Sequence, residues 1–171
     1  SENDIRITSI GKIIRKYKLD ELSQLWNVLL GDMSLVGPRP NVQSETNLYT
    51  DVEQNILLIK PGITDFSSII FSDESKILKD FINPDLAYNQ LIRPYKSRFC
   101  LFYIDNRNIL IDFILILITI IGIKSRVKSL KLISFLLKKI NAPDNLVKVA
   151  LRKEKLMPIP PPGSNEIVME R

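Results

Sequence analysis

The sequence predicts an α+β fold, mainly helical with a small β element, from three observations. Apolar residues recur at helical spacing in several stretches, as in Ile10, Ile13, Ile14, Tyr17 and then Leu22, Leu25, Trp26, Leu29. One run, Ile63 to Phe71, is dense in β-branched and aromatic residues and reads as the strand. Prolines and glycines at Pro38, Pro40, Pro61-Gly62, Pro84 and Pro94 punctuate the chain between these runs. At 171 residues there is enough chain for one domain with a real core. The main unit is expected over residues 1–140, with 141–171 as a C-terminal extension.

In order, a short basic amphipathic helix is expected from Ser9 to Tyr17, with Lys12, Arg15 and Lys16 between its apolar positions. A second helix starts at Asp20, and Gly31 is a natural stop for it. Trp26 is expected in the core. Pro38 and Pro40 force an extended corner, because a residue before proline avoids helical geometry. Val52 to Leu58 suits a helix that Pro61-Gly62 ends. After the expected strand, Asp73 to Phe81 suits a helix capped by Ser72 or Asp73. Pro84 opens a helical stretch to about Ile104, broken near Pro94.

Ile109 to Ile123 is the most apolar stretch and contains one acid, Asp112. A spanning helix needs about 20 apolar residues, so this one reads either as a buried core helix or as a helix in a membrane interface. The stretch after it interleaves Val127, Leu130, Ile133, Phe135 and Leu137 with lysines, as surface-bound amphipathic helices do. That tips the reading toward the interface, with a solvated basic face as the alternative. The tail after Met157 is proline-rich and reads as extended or disordered.

Composition narrows the chemistry. There is no histidine and a single cysteine, Cys100, which reads as a small packed hydrophobe. Ser-His-Asp and Cys-His mechanisms and the usual zinc sites are therefore excluded, as are intramolecular disulfides. Catalysis falls to carboxylates, Lys, Arg, Tyr or hydroxyls, with an oxygen-liganded metal such as Mg²⁺ compatible. The net charge of +5 lies mostly in the C-terminal third, which suits nucleic acid, anionic lipid or phosphorylated substrates. Nucleic acid is disfavoured, because the lysine-rich stretch offers only Phe135 for stacking.

The run from Lys18 to Pro40 gathers the residues that can work on a phosphate. Asp20 and Glu21 stand at a helix start, where the dipole favours ionised carboxylates and anions are held. An ionised carboxylate is a nucleophile toward phosphorus, and its neighbour can ligate Mg²⁺ or handle a proton. The plain alternative is that Asp20 caps the helix and Glu21 complements its dipole. Arg39 is presented from a stiff proline corner, and its planar fork suits phosphate oxygens; a surface turn arginine is the alternative. Arg15 can approach the same pocket or form a solvated basic face. Gln24 and Asn27, on the polar side of the Asp20 helix, bond substrate or tie the helix to the next loop. Thr64 is a weaker hydroxyl candidate.

These residues carry a resemblance. RITSIGKIIRKYKLDELSQLWNVLLGDMSLVGPRP, followed by PGIT at Pro61 to Thr64, is similar to the signature of the bacterial sugar transferases, the monotopic polyprenyl-phosphate phosphoglycosyl transferases. The likeness covers roughly Asn3 to Gly122. It implies a membrane-associated core with interface helices at the cytoplasmic face of a bacterial inner membrane. It also implies transfer of a sugar phosphate from a nucleotide diphosphate sugar, usually a UDP-sugar, to polyprenyl phosphate, typically undecaprenyl phosphate. Such transfer starts exopolysaccharide or lipopolysaccharide assembly.

By the same resemblance, Asp20 becomes a covalent phosphosugar carrier and Glu21 associates with Mg²⁺, while Arg39 and Arg15 lie near phosphate. An anionic membrane surface and a second copy of the chain are the further partners expected. Two departures stand out: Ser23 replaces the family's frequent proline, and Asp65 follows PGIT where glycine is common, which can mark a substrate subclass. The resemblance further implies an N-terminal re-entrant membrane helix ahead of Ser1. A non-catalytic membrane-surface module of the same fold is the alternative, and it predicts no dependence on Asp20.

Overall fold

A computed structural model describes residues 20–170, with side chains from Gln24 onward. The helix expected from Ser9 to Tyr17 lies outside the described residues. The first described helix, α1 (Asp20–Leu30), ends at Gly31, whose φ of +83° suits the residue after a helix. Strand β1 (Ser34–Val36) follows, then α2 (Gln43–Thr46), α3 (Asp51–Gln54) and a 3₁₀ turn (Asn55–Leu58). Strand β2 (Gly62–Thr64) leads into α4 (Phe66–Ile70), α5 (Glu74–Leu78), α6 (Pro84–Leu91) and α7 (Arg93–Asn106). A helical hairpin of α8 (Ile109–Lys124) and α9 (Arg126–Lys139) precedes the short α10 (Asp144–Ala150). The fold is α+β and mainly helical, as the sequence predicts.

The β element is smaller than expected and elsewhere. β1 and β2 form a parallel pair, with Ser34 opposite Gly62 and Val36 opposite Thr64. Of the run Ile63 to Phe71, only the first two residues are strand; Phe66 onward is helix. The cause is Asp65, which caps α4: its carboxylate accepts from Ser68 N–H at 2.7 Å, and Ser68 Oγ accepts from Asp65 N–H at 2.8 Å. Phe66, Ile69 and Ile70 then share one helical face and are buried, so helical packing overrides β propensity.

The core gathers α4, α7, α8 and α9. Phe66, Ile70, Phe99, Leu115, Ile133 and Leu137 are fully buried. Phe66 meets Phe102 and Tyr103 edge-on at 6.1 and 6.2 Å between ring centroids. Trp26, expected here, is instead 64% exposed, along with Leu29 on the same helix. Its helix packs on β1.

Helix α8 satisfies neither single expectation. Ile111, Leu115 and Ile118 are buried against the core, while Ile109, Phe113, Ile120 and Ile123 are exposed. A helix apolar all round thus has one covered face and one bare one. Among the described residues no helix is long and apolar enough to cross a membrane.

The tail is extended and docked. Tyr95 donates its hydroxyl to Met157 O at 3.0 Å, Arg98 donates to Pro160 O at 2.9 Å, and Gln90 donates to Val168 O at 2.7 Å. Pro161 and Pro162 are buried, and Thr50 donates its hydroxyl to Pro162 O.

Candidate functional site

The parallel strand pair is what presents the arginine corner. Gly37 and Gly62 cross in contact: Gly37 N–H donates to Thr64 O at 2.9 Å and Gly62 N–H donates to Pro38 O at 2.9 Å. A Cβ on Gly62 would lie 2.2 Å from Gly37 N, so only glycine fits. Pro38 is buried, and Arg39 projects outward with its Nε donating to Ile63 O at 3.4 Å. The strand and the proline together leave the corner little freedom.

Helix α1 is tied to the same ribbon. Asn27 O accepts from both Asp32 N–H at 2.9 Å and Met33 N–H at 3.1 Å, which turns the chain directly into β1. The Asn27 side chain makes a weak contact to Met33 Sδ at 3.8 Å. Gln24 is half-buried and its Oε1 is buried without a hydrogen-bond partner. Asp20 and Glu21 occupy the first turn of α1 by backbone; their side chains, and Arg15, lie outside the described residues.

Thr64 is buried in β2. Its hydroxyl pairs with Thr119 Oγ1 at 2.6 Å, and Thr119 in turn donates to Leu115 O at 2.8 Å. It therefore joins the ribbon to α8. Asp65, next along, is wholly buried as the α4 cap.

Behind Arg39 a small cleft of about 30 Å³ opens between the corner and α6–α7. That is room for a water or the oxygens of an anion, not for a sugar. Arg93 and Lys96 also line it, and Lys96 is ion-paired with Glu74 and 5.5 Å from the Tyr88 ring centroid. Tyr88 and Tyr49 are pushed up from the ordinary phenol value by burial, so both remain neutral donors. Cys100 is likewise raised well up by burial and by the Asp65 carboxylate beside it. Its Sγ lies 3.4 Å from Asp65 Oδ2, which makes it an inert thiol.

Below the cleft lies a buried ion pair that the sequence reading missed. Glu53 Oε1 accepts from Arg93 Nε at 3.2 Å and from Ser97 Oγ at 2.6 Å. Glu53 Oε2 accepts from Thr50 N–H at 3.0 Å and from Arg93 Nη2. Asn89 Oδ1 takes Arg93 Nη1 at 3.0 Å, and the guanidinium stacks 5.4 Å from the Tyr49 centroid. Thr50 and Glu53 form a capping box, a signal readable as T-x-x-E; the Arg93 partner has no local signal. Among the described residues no cluster of three or more carboxylate, thiol or imidazole groups could hold a metal.

The family model of the bacterial sugar transferases matches residues 1–126. The undecaprenyl-phosphate galactose phosphotransferase of Salmonella typhimurium is 59% identical over 63 residues, which is 37% of this chain and 13% of that protein. The UDP-galactose-lipid carrier transferase of Erwinia amylovora is 54% identical over 63 residues, with the same two shares, 37% and 13%. The UDP-glucose:undecaprenyl-phosphate glucose-1-phosphate transferase of Klebsiella pneumoniae is 47% identical over 72 residues, 40% of this chain and 16% of that protein. The chain thus matches well under a fifth of the length of each of these relatives.

Proposed function

Because the chain belongs to the bacterial sugar transferase family, we propose that it moves a sugar phosphate from a UDP-sugar to a polyprenyl phosphate, through a covalent intermediate on Asp20. What supports the reading is the short path from α1 through Gly31 and β1 to Arg39, which ties the helix that starts at Asp20 and Glu21 to the strand pair that presents the Arg39 guanidinium. The names of the three relatives give the acceptor and donor classes.

In this reading a carboxylate oxygen of Asp20 attacks the sugar-bearing phosphorus and the bond to the nucleoside phosphate breaks, releasing UMP. An oxygen of the lipid phosphate then attacks the same phosphorus. The Asp20 carboxylate leaves, and the product is a polyprenyl diphosphate sugar. Arg39, with Arg15, holds the non-reacting phosphate oxygens by charge-assisted bonds. Adjacent carboxylates are hard oxygen donors of the kind that share Mg²⁺ with substrate phosphates, and Asp20 and Glu21 would hold it. Bound there, the ion would neutralise charge on the diphosphate.

The bare apolar face of α8 beside the lysines of α9 supports a position at an anionic membrane surface, which in this reading is the cytoplasmic face of the inner membrane. The test is to give the full-length protein a UDP-sugar labelled at the sugar-bearing phosphorus. Label is expected on the protein, to be chased off by undecaprenyl phosphate and to be absent in Asp20→Asn. An unlabelled wild type across common UDP-sugars overturns the reading in favour of a non-catalytic surface module.

A further inference from the structure

The cleft behind Arg39 is walled by donors. Arg39, Arg93 and Lys96 line it, and among the described residues no carboxylate does. Part of this lining is already committed to the fold. Arg93 turns its nitrogens to Glu53, Asn89 and Leu48 O, Ser97 donates to Glu53, and Ser67 donates to Asp65.

Other lining groups keep protons to give. The Tyr88 hydroxyl has no hydrogen-bond partner among the described residues. Tyr49 Oη accepts from Asn41 Nδ2, and its own proton has no acceptor among the described residues. The Lys96 ammonium carries three N–H donors, of which Glu74 takes one. Because burial keeps both phenols protonated, these donors persist across the neutral range.

The occupant follows from size and proton count. A volume of about 30 Å³ holds about two oxygen atoms. A sugar hydroxyl brings a proton that itself needs an acceptor. A phosphate oxygen only accepts, and a cation beside it strengthens the bond. We propose that the cleft seats two oxygens of a substrate phosphate, with Lys96, Tyr88 and Tyr49 as binding residues beside Arg39, an inference that rests on the sugar-phosphate transfer proposed above. Both substrates of that reaction, the nucleotide diphosphate sugar and the lipid phosphate, carry the group.

The experiment titrates the full-length protein in detergent micelles with inorganic phosphate, read by phosphorus NMR, and follows each half-reaction separately. Lys96→Met is expected to weaken phosphate binding about tenfold and Tyr88→Phe about threefold, with Lys96→Arg within about threefold of wild type. The same factors are expected in one KM. A rise in the labelling step places the donor diphosphate in the cleft, and a rise in the chase by undecaprenyl phosphate places the lipid phosphate there. Glu74→Gln breaks the ion pair but keeps the ammonium, and is expected to leave phosphate binding and both KM values within about twofold. Phosphate binding that is absent or unchanged, or both KM values unchanged, overturns the inference. Equal losses in Lys96→Met and Glu74→Gln also overturn it, since Lys96 would then serve only its ion pair. Should Lys96→Met fail to fold, Tyr88→Phe, which removes a single oxygen, carries the test. Absence of label on a wild type that still binds phosphate through Lys96 would instead defeat the transfer reading.

Discussion

Arg93 and Glu53, forty residues apart in the chain, form a buried ion pair whose polar groups are shared with Thr50, Asn89 and Ser97. It fastens α3 to α6 and α7 directly beneath the cleft behind Arg39. Removing one partner strands the other charge without water. Glu53→Ala is expected to cost about 3–5 kcal/mol in chemical denaturation. The double change Glu53→Ala with Arg93→Ala is expected to cost clearly less than the sum of the single changes.

The crossing of Gly37 and Gly62 leaves no space for a side chain. Gly62→Ala would force two backbones apart, because the new Cβ meets Gly37 N at 2.2 Å and Gly37 Cα at 2.6 Å. The expected cost is about 3 kcal/mol or more, read as a fall in melting temperature. Transfer activity is expected to fall further than stability at any temperature where the protein stays folded, since Arg39 moves with the ribbon.

Cys100 and the buried tyrosines set the alkaline limit of the fold. Burial raises the thiol of Cys100 above its ordinary 9.0, and the phenols of Tyr88 and Tyr103 above their ordinary 10.0. Between the ordinary and raised values the folded state holds protons that the unfolded state has released. Their contribution is therefore complete below about pH 9 and is lost as pH rises beyond it. Stability measured by denaturant from pH 7 to 11 should decline above pH 9, and Cys100→Ala should flatten the first part of that decline. At pH 8 the thiol should react with an aromatic disulfide reagent only on unfolding.

The docked tail should be required for full stability. Gly163 has a φ of +83°, and a Cβ there would lie 2.7 Å from Val52 Cγ2. Gly163→Ala is expected to cost about 1–2 kcal/mol, and deletion of 157–170 more, both read as melting temperature. Limited proteolysis of the intact protein should spare the tail, and after Gly163→Ala it should be trimmed first.

What was legible in the sequence was local. Gly31 ending α1, Pro84 opening α6, the break near Pro94 and the extent of α8 each follow from residues within one turn of the event. The three-residue strand Ser34–Val36 carries too little pattern to be seen, because its partner and its glycine crossing lie nearly thirty residues on. The composition of Ile63 to Phe71 predicts a strand, whereas the capping box at Asp65 sets a helix after Thr64. Helical spacing puts Trp26 on an apolar face with Leu25 and Leu29, yet all three are exposed, because an apolar stripe does not say what covers it.

The candidate site divides in the same way. The Arg39 corner is written in three consecutive residues, Pro38, Arg39 and Pro40, and could be read. Lys96 and Tyr88 reach the cleft through the packing of α6 and α7, and the Arg93 partner of Glu53 has no local motif. Tertiary contacts of this kind leave no mark at sequence range.

The strap from Met157 to Val168 hooks onto Thr50, Gln90, Tyr95 and Arg98, all translated far earlier. Those anchors must stand ready while the ribosome still shields the strap. The assembly is therefore fastened only after synthesis has passed residue 168. Until then, the ledge on which the strap comes to rest is bare to chaperones and proteases.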